Sequence, residues 1–210
     1  DFWLRFMTSH PKDATKKLFD TMASHDKIAK HFHLPFQSGN DRILKEMNRH
    51  YDSAQYLELV RYGRSVMPEL VLTSDVIVGF PGETAEEFED TISLIEQVRY
   101  DALFTFIYSP RKGTPAAQMP DPTDKAEKNR RFDRLCAAQN GISEQIHAGY
   151  VGKTFRCLID GKDKEFLTAR TEGGRLVRLQ GDESLIGTFQ PVTVTGSTTW
   201  SLTGALAEKE

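Results

Sequence analysis

Two spacings of hydrophobic residues alternate along the first part of this chain. Over residues 1–148, short runs of apolar side chains are followed by stretches with apolar residues three or four apart, the marks of strands and helices. Residues 2–8 are aromatic and apolar and predict a strand, broken by Ser9-His10-Pro11. Residues 13–23 carry Ala14, Leu18, Phe19 and Met22 at helical spacing. Residues 28–37, with His31-Phe32-His33-Leu34, predict a second strand, and Ser38-Gly39-Asn40 a turn. Asn40 or Asp41 can cap a short helix through Met47. Asp52 or Ser53 can cap another, whose stripe of Tyr56, Leu59, Val60, Gly63 and Met67 ends at Pro68.

Residues 71–78 are apolar nearly throughout, which predicts a strand buried on both faces of a parallel sheet. Gly79-Phe80-Pro81-Gly82 turns the chain, and Thr84-Ala85-Glu86-Glu87 is a capping box opening a helix that buries Ala85, Phe88, Ile92 and Ile95. Residues 102–108 predict another strand and residues 109–115 a loop. A long helix over 124–147 has a stripe of Phe132, Leu135, Gln139, Ile142 and Ile146. The order βαβαβαβα predicts an α/β fold with parallel strands and right-handed crossovers. In such folds ligands sit at the carboxyl ends of the strands, here Ser9-His10, Gln37-Ser38-Gly39, Gly79-Phe80-Pro81-Gly82 and Ser109-Pro110.

After Gly149 the pattern changes. Short strand-like runs at 154–159, 166–171, 176–179, 191–195 and 199–202 are punctuated by glycine, which predicts a small all-β barrel. The sequence therefore divides into domains at 1–148 and 149–210.

Composition narrows the function. The chain has 210 residues and a formal net charge of −3, which excludes a uniformly basic nucleic-acid binder but not a local basic face. No apolar run approaches the ~20 residues of a membrane helix, so no membrane partner is expected. The two cysteines, Cys136 and Cys157, exclude a disulfide scaffold and any zinc or iron–sulfur site built only from this chain's thiolates. Both read as small buried hydrophobes. No signal peptide is visible, and a cytoplasmic location is expected. The chain opens on Asp1 inside an apolar run, which suggests a piece of a longer protein.

Three features carry candidate chemistry, each with a plainer reading beside it. The glycines of Gly79-Phe80-Pro81-Gly82 let backbone amides approach a ligand at a helix N-terminus, or simply make a tight turn. Gln37 shares a strand face with His31 and His33 if alternation holds; it can bond a ribose or carboxylate, or fill a barrel interior. His31-x-His33 resembles half a metal site, but no carboxylate or thiolate nearby in sequence completes it, and hydrogen-bonded structural histidines are the better reading. From residue 149 on, eight basic residues balance eight acidic ones, with six of the eight cations at Lys153, Arg156, Lys162, Lys164, Arg170 and Arg175. These either hold RNA or form a solvated mixed-charge surface.

Four motifs carry a family resemblance. Arg5-Phe6-Met7-Thr8-Ser9-His10-Pro11, His33-Leu34-Pro35-Phe36-Gln37-Ser38-Gly39 with Leu44-Lys45-Glu46-Met47-Asn48-Arg49, Ser74-Asp75-Val76-Ile77-Val78-Gly79-Phe80-Pro81-Gly82-Glu83-Thr84, and Phe104-Thr105-Phe106-Ile107-Tyr108-Ser109-Pro110-Arg111-Lys112-Gly113-Thr114-Pro115 appear in the order found in methylthiotransferases of the radical S-adenosylmethionine (SAM) class. The β domain resembles their closing TRAM module. The resemblance implies an α/β fold: a partial TIM-like barrel, its last four β/α units, followed by the TRAM barrel.

The resemblance also implies an activity, methylthiolation of C2 of N6-(dimethylallyl)adenosine at tRNA position 37. It implies SAM as methyl donor and radical source, two [4Fe–4S] clusters in the full-length protein, the tRNA anticodon stem-loop as partner, and an electron donor such as flavodoxin or ferredoxin. The family's CxxxCxxC and its auxiliary-cluster cysteines are not among these 210 residues. The chain as given is therefore expected to be inactive, with no metal ligand assigned and no catalytic residue named. Sister families act on threonylcarbamoyl-adenosine in tRNA or on a ribosomal protein, and a stand-alone RNA-binding role is the third alternative. By position, Gln37, Ser38, Asp75, Val78, Gly79, Phe80, Tyr108 and Ser109 are expected to border SAM. Arg111, Lys112, Lys153, Arg156, Lys162, Lys164, Arg170 and Arg175 are expected to meet RNA phosphates.

Overall fold

The structure, a computed structural model, describes residues 1–7 and 10–207. Thr8 and Ser9, part of the first predicted strand end, and Lys209 lie outside them. The α/β part runs α1 (Lys16–Ser24), β1 (His31–His33), α2 (Asp41–Glu46), α3 (Ser53–Val66), β2 (Val71–Val78), α4 (Ala85–Val98), β3 (Ala102–Ile107) and α5 (Lys125–Ala148). The strands form a parallel sheet in the order β1-β2-β3.

Local chemistry sets the helix starts. Thr15, Asn40, Asp52, Thr84 and Asp124 each accept a backbone N–H of their own first turn. At Asp52 and Thr84 the side chain three residues on, Gln55 or Glu87, returns a bond to the cap, completing capping boxes.

Two predicted strands are shorter than their patterns implied. Residues 2–7 make one parallel bridge, Leu4 to Ile28, and no strand among the described residues. Residues 28–37 pair as a strand only at His31–His33, followed by an isolated bridge from Gln37 to Val76. His33 pairs with Thr73, so four steps on one chain match three on the other. That extra residue breaks the alternation from which Gln37 was assigned to the face of His31 and His33.

The run 71–78 is also not buried on both faces. Leu72, Ser74, Val76 and Val78 are sealed in the core against the helices, while Thr73, Asp75 and Ile77 are only half covered. The helices cover one face of the sheet and leave the other open. Phe19, Met22, Phe32, Phe36, Tyr56, Ile95 and Tyr100 fill the covered side.

The second part is a closed antiparallel-rich barrel in the order β4-β5-β6-β8-β7, made from β4 (Thr154–Asp163), β5 (Phe166–Thr171), β6 (Leu176–Leu179), β7 (Phe189–Ser197) and β8 (Leu202–Leu206). Its core is Cys157, Ile159, Leu167, Ala169, Val177, Leu179, Val192, Val194 and Leu202. Inward and outward residues alternate along the strands, interrupted by irregularities between Ile159 and Gly161 in β4 and between Val194 and Gly196 in β7, and closure leaves no free edge.

A polar cluster joins the two parts. Arg175 pairs with Asp101 at the start of β3 and donates to His147 Nε2 at 2.5 Å near the end of α5. His147 Nδ1 lies 2.7 Å from the Thr198 carbonyl. Arg5 donates to the carbonyls of Thr171 (2.9 Å) and Glu172 (2.5 Å).

Candidate functional site

The open face of the sheet is where side chains with chemistry are exposed. Thr73 Oγ1 lies 2.9 Å from His33 Nδ1 and 3.2 Å from His31 Nε2, and His33 Nε2 is 3.4 Å from Asp75 Oδ1. These distances form one chain of polar contacts: His31 to Thr73, Thr73 to His33, and His33 to Asp75. Among the described residues no group of three His, Cys, Asp or Glu side chains could hold a metal ion. The two histidines are used in this polar layer. Phe104, edge-on to His33 at 5.7 Å, and Phe106 stand beside them with 52% of their surface exposed.

Burial among cations shapes how His31 titrates. Desolvation, aided by Arg5 and His33, lowers its pKa to about 4. The folded chain thus favours neutral His31, while an unfolded chain protonates near pH 6.5. The stability this confers is complete above pH 6.5 and is lost as pH falls from there through about 4. Burial also lowers His147 and acts in the same direction. The urea midpoint is expected to fall between pH 7 and pH 4.5, and by less in His31→Asn. Equal falls in the two proteins would remove His31 as the cause.

At the carboxyl ends of the strands, backbone bonds bring three of the four predicted ends together. Gln37 N donates to Asp75 O and Ile77 N to Gln37 O, both at 2.9 Å, while Tyr108 N donates to Val78 O at 2.8 Å. Gln37 holds φ +69, in the left-handed region where non-glycine residues are uncommon. Phe80 and Tyr108 pack edge to face at 5.2 Å, and Tyr108 Oη is shielded from water with no hydrogen-bond partner among the described residues.

Not every expected wall residue faces outward. The Ser38 hydroxyl is buried, accepts the Asn40 N–H at 3.2 Å and lies 3.5 Å from Thr91 Oγ1. Val78 is sealed in the helix-side core. Gly79 and Phe80 are buried, Asp75 and Tyr108 are half-buried, and Ser109 is exposed.

The glycine turn has a second layer. Glu83 folds back so that Oε2 accepts the Gly79 N–H at 2.8 Å, and Arg131 Nη1 donates to Glu83 O at 2.9 Å. Desolvation raises the Glu83 pKa, against the Gly79 and Arg131 contacts that lower it. Gly79 sits at φ +71, and a Cβ there would fall 2.7 Å from Lys128 Cγ. Lys128 is paired with Asp121. The glycine therefore accommodates close packing of α5, and its N–H is already occupied by Glu83. The G-x-x-x-E spacing was the available signal.

Residues 2–95 match the Radical SAM superfamily and residues 149–207 the TRAM domain. The chain carries a radical SAM segment and a TRAM domain. Over 65% of its length the chain is similar in fold to coproporphyrinogen III oxidase of Escherichia coli, with a TM-score of 0.54 and 20% identity, covering 32% of that chain. The whole chain is 48% identical over 208 residues to the tRNA-2-methylthio-N(6)-dimethylallyladenosine synthase of Symbiobacterium thermophilum, covering 98% of this chain and 44% of that protein. It is 46% identical over 209 residues to the protein of the same name from Alkaliphilus oremlandii, again 98% and 44%. The chain thus spans under half the length of these relatives.

Radical SAM chemistry implies an iron–sulfur cluster, whose irons are held chiefly by thiolates. The cysteines here do not fit one. Cys157 is fully buried in the TRAM core, where burial pushes its thiol up to about 12. Cys136 lies on α5, 3.5 Å from Thr105 Oγ1. At the strand ends a nucleoside would meet the Tyr108 hydroxyl, which has no hydrogen-bond partner among the described residues, packed against Phe80, with Gln37 across β2 from them.

The TRAM cations divide into three groups. Lys153 and Lys164 are exposed and make no ion pair among the described residues. Arg156, Lys162 and Arg170 are at least partly exposed but pair with Asp1, Glu183 and Asp160. Arg175, expected at a phosphate, is instead buried in the junction with Asp101 and His147, because its charge is needed there. In the radical SAM segment's last loop, Arg111 and Lys112 are exposed.

Proposed function

We propose that this chain is part of a tRNA methylthiotransferase that places a methylthio group on C2 of N6-(dimethylallyl)adenosine at position 37. The observation that carries this reading is 44–48% identity, over 96–98% of the chain, to synthases named for that product. The paired radical SAM and TRAM matches support it.

In this reading SAM, when bound, supplies the methyl group and the radical that activates the adenosine. Gln37, Tyr108 and Ser109 border it at the strand ends, with Phe80 as an apolar edge. Ser38, Val78 and Gly79 shape that wall from behind, and Asp75 faces the interior below it. Arg111, Lys112, Lys153 and Lys164 meet phosphates of the anticodon stem-loop, with Arg156, Lys162 and Arg170 available after exchanging surface partners, which costs little. A flavodoxin- or ferredoxin-like donor supplies electrons to clusters held outside the described residues. No helix among the described residues is long and apolar enough to cross a membrane, in keeping with action on tRNA in the cytoplasm.

Two measurements test this. Deleting the gene is expected to convert 2-methylthio-N6-(dimethylallyl)adenosine to the unthiolated nucleoside in tRNA digests read by mass spectrometry. Loss confined to methylthiolated threonylcarbamoyl-adenosine, or to a ribosomal protein, would assign the chain to a sister activity. The isolated 210-residue chain, after attempted cluster reconstitution, is expected to form no 5′-deoxyadenosine from SAM; formation of it would overturn the inactivity of this piece.

A further inference from the structure

The β7–β8 hairpin presents a feature that the proposed chemistry does not use. Trp200 is 74% exposed, more than any other large hydrophobic side chain described in the structure. Its loop is tied down. Thr198 Oγ1 accepts the N–H of Trp200 at 3.2 Å and of Ser201 at 3.0 Å, and Thr198 N donates to Ser201 O at 2.8 Å. The Thr198 carbonyl in turn lies 2.7 Å from His147 Nδ1, which fastens the hairpin tip to α5. An indole held in water on a braced tip is displayed rather than stranded.

Trp200 stands at a cleft of about 610 Å³ between the radical SAM segment and the TRAM barrel. Leu103, Ala102 and Cys136 make its apolar wall, and Asn140 and Arg170 line it with polar groups. The Asn140 side chain makes no hydrogen bond among the described residues, so both its donor and its acceptor are free. A flat apolar platform, a free amide fork and a guanidinium suit the three parts of a nucleotide: the base face, the base edge and the phosphate. The volume lies within the range of ordinary ligand sites at domain junctions.

We propose that this cleft takes one unpaired base of the substrate RNA, stacked on Trp200 and read at its edge by Asn140. The proposal rests on the RNA reading given above. It places a contact away from the strand ends where the modified adenosine is processed, so the TRAM hairpin helps set the register of the RNA. The junction held by Arg175 keeps that distance constant.

The chain contains two tryptophans, Trp3 and Trp200. Trp3→Phe therefore leaves Trp200 as the only indole. Titrating this variant with an anticodon stem-loop RNA is expected to quench and shift the Trp200 emission at saturation. Trp200→Ala is expected to weaken binding about five- to 150-fold, the range for loss of one base–aromatic stack, and Trp200→Phe to restore part of it. A fully paired duplex RNA is expected to leave the emission unchanged. Circular dichroism should be unaltered in Trp200→Ala, since the side chain is exposed. RNA binding of unchanged affinity in Trp200→Ala, or saturation without a change in emission, overturns the base site and leaves the RNA reading standing. Failure of the unaltered chain to bind the stem-loop overturns both. Quenching of Trp200 by a protein partner alone, with none by RNA, would reassign the cleft.

Discussion

Arg175→Ala is expected to cost about 3–5 kcal/mol of stability, a large part of what a domain of this kind possesses. Arg175 pairs with Asp101, whose other carboxylate oxygen accepts the Leu72 N–H at 2.7 Å. The same guanidinium donates to His147 Nε2 at 2.5 Å and lies 5.3 Å from the centre of the Tyr150 ring. His147 is therefore neutral with its proton on Nδ1, directed at the Thr198 carbonyl. Removing the arginine leaves a carboxylate in a place where burial already raises its pKa. It also leaves His147 and the hairpin tip without their anchor.

Arg175→Lys should recover little, since one ammonium cannot reproduce a planar fork that serves both Asp101 and His147. Adding Asp101→Asn to Arg175→Ala should recover part of the loss by removing the stranded charge. Urea unfolding of the three variants at pH 7 measures this. A loss below about 1 kcal/mol for Arg175→Ala would mean that water reaches the junction and screens it.

Gly39→Ala is the second large effect, expected at about 3 kcal/mol or more, the top of the ordinary range for overpacking. The reason is backbone against backbone. A Cβ on Gly39 would stand 2.4 Å from Asp90 O and 2.6 Å from Thr91 Cα, neither of which can rotate away. Gly39 N also donates to Thr91 Oγ1 at 2.9 Å, so α4 and this turn are held in direct contact. Relief requires moving α4 or the turn, and the turn carries Gln37 and Ser38. The melting temperature should fall by about 6–12 °C for a chain of this size. A fall under about 3 °C would show that the turn yields at low cost. In that case the Gln37 backbone, seen by amide chemical shifts, should have moved.

Much of this architecture was legible beforehand, for local reasons. The caps are read from one residue and its next turn: Thr84 forms its box as its pattern implied, and of the pairs Asn40 or Asp41 and Asp52 or Ser53 the first member caps in each case. Strands β5 and β6 occupy the predicted 166–171 and 176–179, since alternation about a small core is a short-range signal. The first predicted strand was not realised. Residues 2–7 have strand composition, yet strand pairing depends on a neighbour, and only Leu4 finds one. The run 71–78 looked doubly buried because apolar content does not say how many faces are covered.

The candidate site was legible in outline and not in orientation. Motif order pointed to the strand ends at Gln37, Gly79 and Tyr108, and the chain pairs them there. That Ser38 turns toward Thr91, that Glu83 occupies the Gly79 N–H and that Arg175 is spent on Asp101 could not be read from spacing. Each depends on a partner 4 to 74 residues away.

The helix starts, the β/α order, the change to a barrel after Gly149 and the family resemblance can be read along the chain, because they reside in neighbouring residues and in contiguous motifs. Which face of the sheet stays open, which cations are free for a ligand, and the place of Trp200 over a cleft between the two parts emerge only in the packed fold. Those outcomes follow from burial, and burial is a property of what is packed against a residue, not of the residue itself.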